Sequence, residues 1–134
     1  MSNHFPENKL KNRIVGYDSK PAKDFRLHPL NPKTHPPVQQ KAVAAILEEV
    51  GWVKGVIENR RTGFIVDGEA RILESLKLNP DEVIPYTIID VTEEEEKKIL
   101  AFLDYIAGLA IIESDKLTEL FNALDFESET LGQL

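Results

Sequence analysis

The stretch Phe64-Ile-Val-Asp-Gly-Glu-Ala-Arg-Ile-Leu-Glu-Ser-Leu-Lys-Leu78 changes character at its middle. Phe64 to Val66 is an apolar run of the strand type, Asp67-Gly68 is turn chemistry, and beyond it Ile72, Leu73 and Leu76 fall on one side of a helix. The pattern predicts a strand that turns directly into an amphipathic helix. At such a junction the first backbone N–H groups have no intrahelical acceptor and the helix dipole is positive, so a phosphate is attracted there. Asp67, Glu69 and Arg71 stand at that point, which marks it as the candidate working site.

Working outward, Trp52 to Glu58 and Gly63 to Asp67 read as two strands joined by Asn59-Arg-Arg-Thr62, a link whose length suits an antiparallel hairpin. Before them, Val43, Ile46, Leu47 and Val50 recur at i, i+3, i+4 and i+7, predicting a helix over 38–50 that Gly51 stops. Further back, Ile14 to Asp18 is a short strand. It is followed by a proline- and charge-rich connector, Ser19 to Pro37, that must be ordered by docking rather than by its own propensity; the first dozen residues are polar and read as loose. Downstream, the helix after Gly68 ends near Asn79-Pro80. Ile84 to Val91 is the last strong strand, and Thr92 with Glu95 forms a capping box for a helix expected to bury Ile99, Leu103, Ile106 and Ala110. A final helix from Ser114 carries Leu117, Leu120, Phe121 and Leu124 on one face, before a tail with Phe126, Leu131 and Leu134.

The chain has 134 residues, 42% of them apolar, enough for one domain with a real core. Its apolar runs are far short of a membrane span, and its start lacks the apolar region of a signal peptide, so a cytoplasmic protein is expected. The absence of cysteine excludes thiol nucleophiles, disulfides and cysteine-based zinc sites. Charge is uneven: residues 1–91 hold 13 Lys/Arg against 12 Asp/Glu, and residues 92–134 hold 3 against 11. Non-specific DNA affinity is mostly phosphate neutralisation, so any nucleic-acid contact is expected in the N-terminal two thirds, where Lys20 to Lys33 and the pair Arg60, Arg61 gather.

The Glu93 to Glu96 run reads as dipole complementation in a first helical turn rather than a metal site. His4, His28 and His35 show no metal-ligand spacing; only His35 lies near a motif.

The order of elements over residues 12–110, with Asn31-Pro32 in a connector and Asp67-Gly68-Glu69-Ala70-Arg71 at a strand-to-helix turn, resembles the ParB-like domain of the ParB/sulfiredoxin superfamily. The resemblance implies an α+β fold, a small mixed sheet with packed helices, with residues 111–134 as a C-terminal helical extension. Gly68-Glu69-Ala70-Arg71 is similar to the Gly-Glu-Arg-Arg box with which partitioning proteins contact the triphosphate of a nucleotide, except that Ala70 replaces the first arginine. The Asn-Pro connector resembles the family's first nucleotide box and implies nucleotide-side roles for Asn31, Lys33 and Thr34 beside Gly68 and Arg71. The third box, Glu-Asn-x-Gln-Arg in the family, falls on Asp104 to Gly108 and keeps an acid while losing the amides and the arginine. The missing cysteine excludes sulfiredoxin chemistry. Short ParB-like nuclease-type proteins of phages and mobile elements, often associated with DNA methyltransferases, are the relatives this pattern implies.

Three functional expectations follow from these residues. The first is a nucleoside triphosphate bound with Mg²⁺, Arg71 on phosphate, Asp67 and Glu69 as metal-holding or water-activating carboxylates, and slow hydrolysis. The second is a metal-dependent nuclease in which Asp67 and Glu69 hold the ion while Lys33, Arg60 and Arg61 guide DNA. The third is a non-catalytic module whose C-terminal helices pair with a second copy or a DNA-modifying partner. Against all three stands a purely local alternative: Asp67 caps the helix, Glu69 complements its dipole and Arg71 pairs with a carboxylate.

Overall fold

The computed structural model describes residues 9–134. His4 and most of the polar start lie outside the described residues. Four strands, β1 (Ile14–Pro21), β2 (Val56–Asn59), β3 (Ile65–Asp67) and β4 (Val83–Ile89), form one sheet in the order β1-β4-β2-β3. The β1/β4 and β2/β3 pairs are antiparallel and the central β2/β4 pair is parallel. A parallel pair needs a crossover, and here β3 together with α2 (Glu69–Leu78) supplies it.

Alternation along the strands divides the core into two layers. Val56, Ile65 and Ile84 face one side, where they meet Ala22, Phe25 and Ile72 of α2. Ile57, Val66 and Ile89 face the other, beneath Ile99 and Leu100 of α3 (Glu93–Gly108). Ile72, Ile84 and Val56 are almost fully buried, each contributing about 1.5–3 kcal/mol. Helix α1 (Pro37–Glu49) packs on α2; α4 (Ser114–Asn122) and α5 (Glu129–Gly132) follow α3, and α5 returns to pack on α1. There the Glu49 carboxylate accepts the amides of Glu127 and Ser128 at 2.7 and 3.1 Å. The α+β class and the small mixed sheet agree with expectation.

The connector is ordered by docking. A 3₁₀ turn at Ala22–Asp24 is pinned by Ala22 N–H to the Glu82 carbonyl at 2.8 Å, and Ile65 N–H donates to the Arg26 carbonyl at 3.0 Å along the outer edge of β3. His28, in the same connector, enters the interior. Its Nε2 lies 2.6 Å from Glu96 Oε1, while Asn59 Nδ2 and Thr62 Oγ1 donate to Glu96 Oε2 at 2.6 and 2.5 Å. Burial would raise the Glu96 carboxyl; the hydrogen bonds from Thr62, Asn59 and His28 outweigh it and hold the carboxyl below the usual glutamate range. This network staples connector, hairpin turn and α3 together.

Helix α3 departs from expectation in its second half. The capping box is present, with Glu95 N–H donating to Thr92 Oγ1 at 3.1 Å and Thr92 N–H to Glu95 Oε1 at 2.9 Å. Ile99 packs on the sheet, but Leu103, Ile106 and Ala110 are exposed rather than buried. The physical reason is that α3 does not close on the sheet beyond Leu100: Leu103 and Ala107 line an open cleft of about 330 Å³ with Ile57, Val66, Ile89 and Val91 instead of packing in the core. Leu120, Phe121 and Leu124 of the last stripe are exposed as well.

Candidate functional site

The junction at Gly68 depends on glycine. Its backbone sits at φ 106°, a region open to few side chains, and a Cβ there would stand 2.8 Å from Val56 Cγ2. Because β2 passes this close, the chain turns from β3 into α2 without an intervening loop. The start of α2 carries no side-chain cap: Asp67 is not a capping residue, contrary to the local alternative. Its carboxylate is instead drawn to cations, with Oδ2 3.0 Å from Arg71 Nη2 and 3.1 Å from Lys54 Nζ. The pairing of Arg71 with a carboxylate in that same alternative is present. Arg71 also donates to the Lys54 carbonyl and lies over Trp52, 5.8 Å from its ring centroid.

Glu69 is engaged from the opposite wall. Asn31 Nδ2 donates to its Oε2 at 2.8 Å, and His35 Nε2 approaches the same oxygen at 3.0 Å. Lys33 reaches across to Asp104 of α3, the acid retained from the degenerate third box. These groups surround a cleft of about 520 Å³ between α1, the start of α2 and α3, a size in the range of small-molecule sites. Its polar floor is Gly68, Glu69, Ala70 and Arg71; its apolar wall is Val43, Ile46, Leu47 and Trp52. The apolar face of α1 is therefore spent partly on the cleft, which explains why Ile46 remains 43% exposed.

The residues singled out from sequence thus separate into two places. Asp67, Gly68, Glu69, Arg71 and Lys33 line the cleft and Asn31 reaches it through Glu69, whereas Thr34 is neither among the lining residues nor among the Glu69 partners. Arg60 and Arg61 lie in the hairpin turn, roughly 10 Å along the strands from Asp67 at 3.3 Å per residue. Both pair with Asp90, at 3.0 and 2.5 Å; Arg61 first and then Arg60 hold its carboxyl below the ordinary aspartate range against its partial burial. His35, Trp52, Lys54 and Asp104 were not singled out as site residues. His35 stood near the Asn-Pro motif and Asp104 at the third box; Trp52 and Lys54 gave no local signal, because only the fold brings residues 52–54 beside residue 67.

Among the described residues no group of three or more His, Asp or Glu is gathered as a metal cage. Two carboxylates do fit the way Mg²⁺ is held beside a phosphate, by one or two protein oxygens plus water. Asp67 Oδ1 and Glu69 Oε1 receive no hydrogen bond among the described residues, while the second oxygen of each is anchored.

A mixed sheet of order β1-β4-β2-β3 flanked by α1 and α2 on one side and α3 on the other, with a glycine-dependent turn into α2, defines a ParB-like fold. The chain is similar to the C-terminally truncated chromosome-partitioning protein ParB from Caulobacter crescentus complexed with CTP-gamma-S, with a TM-score of 0.67 and 15% identity over 82% of this chain and 63% of that one. It is also similar to a Pnob8-like ParB-N domain, with a TM-score of 0.54 and 12% identity over 68% of this chain and 36% of that one. The chain thus spans under two thirds of the length of either. At these identities the likeness is one of fold. No family model and no curated protein matches the chain by sequence.

Proposed function

We propose that the protein is a ParB-like nucleotide-binding domain that takes a nucleoside triphosphate, with Mg²⁺, in the cleft at the start of α2. The observation that carries this reading is the meeting of an uncapped helix N-terminus, three cationic side chains (Lys33, Lys54, Arg71) and an apolar wall containing Trp52 in one cleft. Phosphates are drawn to the amides and cations, while the wall offers a surface for sugar and base. The CTP analogue named with the Caulobacter protein supports the choice of ligand class.

Each cation already has a carboxylate partner: Lys33 holds Asp104, and Lys54 and Arg71 share Asp67. Phosphate must therefore compete with an internal anion, which limits affinity unless a divalent ion offsets the carboxylates. When bound, Mg²⁺ would supply that charge, with Asp67 and Glu69 as the residues to hold it. Slow hydrolysis, with Glu69 orienting water, is the finer form of the proposal, and a role in DNA maintenance or modification is its biological setting.

Calorimetry with ATP, CTP, GTP and ADP, with and without Mg²⁺, tests the reading, and no heat with any of the four at high micromolar protein refutes it. Arg71→Ala should weaken affinity roughly tenfold, the scale of one charge-assisted contact. Glu69→Ala should reduce turnover more than affinity. Equal losses in the two variants would remove these roles.

A second reading, association with another copy or a partner protein, is favoured by one observation: Phe102, Leu103, Tyr105 and Ile106 are all more than half exposed on consecutive turns of α3. Light scattering of the full chain beside a chain ending at Gly108 tests it, and identical monomer masses would remove self-association. The nuclease reading gains no such support, since Arg60 and Arg61 are held by Asp90 away from Asp67 and Glu69; supercoiled plasmid with Mg²⁺ or Mn²⁺ and an Asp67→Asn control decides it.

A further inference from the structure

Two carboxylates of the cleft take partners from the connector, Asp104 from Lys33 and Glu69 from two residues. Asn31 and His35 converge on Glu69 Oε2 at 2.8 and 3.0 Å, and leave Oε1 with no partner among the described residues. His35 is itself fixed. Its Nδ1 lies 2.7 Å from the Gln39 side-chain amide in the first turn of α1, and Gln40 Nε2 donates to the His35 carbonyl at 2.5 Å. Its side chain is only 10% exposed, against 17% for that of Glu69. Nε2 faces a carboxylate oxygen and so carries a proton and donates, while the amide of Gln39 can meet Nδ1 with oxygen or nitrogen as the ring requires.

We infer that His35 is a positioning residue of this cleft: it clamps one oxygen of Glu69 so that the other is presented alone to the ligand side. The inference rests on the nucleotide reading and adds to it a residue of the cleft lining that acts through Glu69. The need for such a clamp is steric and electrostatic. An unrestrained glutamate in the first helical turn can swing either oxygen toward the uncapped amides of α2, where it would occupy the place of a phosphate. Holding Oε2 on the connector side prevents that self-capping and keeps the amides available. Asn31 shares the task, and its Oδ1 accepts the Lys33 amide at 3.1 Å, so the connector is shaped by the same contact.

The test uses the full chain and its single tryptophan, Trp52, in the cleft wall. Trp52 fluorescence is titrated with ATP and CTP in Mg²⁺, with calorimetry alongside, for wild type, His35→Ala, His35→Gln, Glu69→Ala and the double variant His35→Ala/Glu69→Ala. Far-UV circular dichroism establishes that each is folded. His35→Ala should weaken binding about tenfold, in the range of coupled neighbours. His35→Gln, whose amide nitrogen can donate from nearly the place of Nε2, should restore affinity to within about threefold, a recovery a merely space-filling role would not give. In the Glu69→Ala background, where no acceptor remains for Nε2, the same His35→Ala change should cost less than about twofold. Equal loss in His35→Gln and His35→Ala, or an undiminished cost in the Glu69→Ala background, overturns the inference while nucleotide binding stands. Failure of wild type to bind either nucleotide by both methods overturns the nucleotide reading and this inference with it.

Discussion

Replacing Gly68 by alanine separates two costs that the structure places at one atom. Gly68 has φ 106°, and a Cβ there meets Val56 Cγ2 at 2.8 Å and Val56 Cα at 3.3 Å. Gly51 has a similar φ of 98°, yet a Cβ on it meets nothing within 4 Å. Gly51→Ala therefore measures the backbone term alone, about 1–2 kcal/mol for a left-handed conformation. Gly68→Ala carries that term plus the overlap with a buried valine on β2, about 1–3 kcal/mol for forced overpacking. The expected total is about 2–5 kcal/mol, against roughly 10 kcal/mol for a domain of this size. Urea unfolding followed by Trp52 fluorescence and circular dichroism, with m unchanged, reads both values. In a Val56→Ala background the Gly68→Ala cost should fall by about 1–2 kcal/mol, since the opposing methyl is gone. If the two glycine variants lose the same stability within about 0.5 kcal/mol, the close approach of β2 to the junction is not what holds Gly68 in place.

Glu96→Gln should destabilise by about 1–3 kcal/mol, because the new amide must face His28 Nε2. That ring cannot simply exchange its proton: Leu30 N–H donates to Nδ1 at 3.0 Å, so Nδ1 must stay an acceptor. A loss below 0.5 kcal/mol in urea, a bound that one neutral hydrogen bond normally exceeds, would refute the pairing. Acid should unfold the protein through Glu95 and Glu96. Arg13 and the Thr92 amide hold Glu95 down to about 2, and Glu96 is likewise depressed, so their contributions are complete above about pH 4.5 and fade as pH falls toward the folded values. Glu96→Gln should flatten part of this slope in melts between pH 2 and 6; an unchanged slope would exclude Glu96 as a source of acid sensitivity.

Local chemistry made much of the fold legible. The turn at Asp67-Gly68, the capping box of Thr92 and Glu95, and the Gly51 stop each rest on residues within four positions of one another, so spacing alone reveals them. The connector was recognisable as a docked segment, but its destination was not, because His28 finds Glu96 across 68 positions and Asn31 finds Glu69 across 38. Periodicity misjudged α3 for a related reason. An apolar stripe says which face wants burial, and only how closely the helix settles on the sheet decides how far that face is covered. The candidate site shows the same division: its floor, Gly68 to Arg71, is contiguous, whereas Trp52, Lys54 and His35 join it through tertiary packing.

The parallel pairing of β2 with β4 carries a consequence for how the cleft comes into being. Residues 31–35, 52–54, 67–71 and 104 are separate in the chain, and the two central strands can align only after β3 and α2 have been threaded between them. Such non-local closure is slow relative to hairpin or helix formation, so a partly folded chain holds the floor of the cleft without its walls. A ligand that needs both would then recognise only the finished domain. At a hundredfold excess over its dissociation constant it would add about 2.7 kcal/mol to global stability, and the melting temperature would climb with ligand concentration.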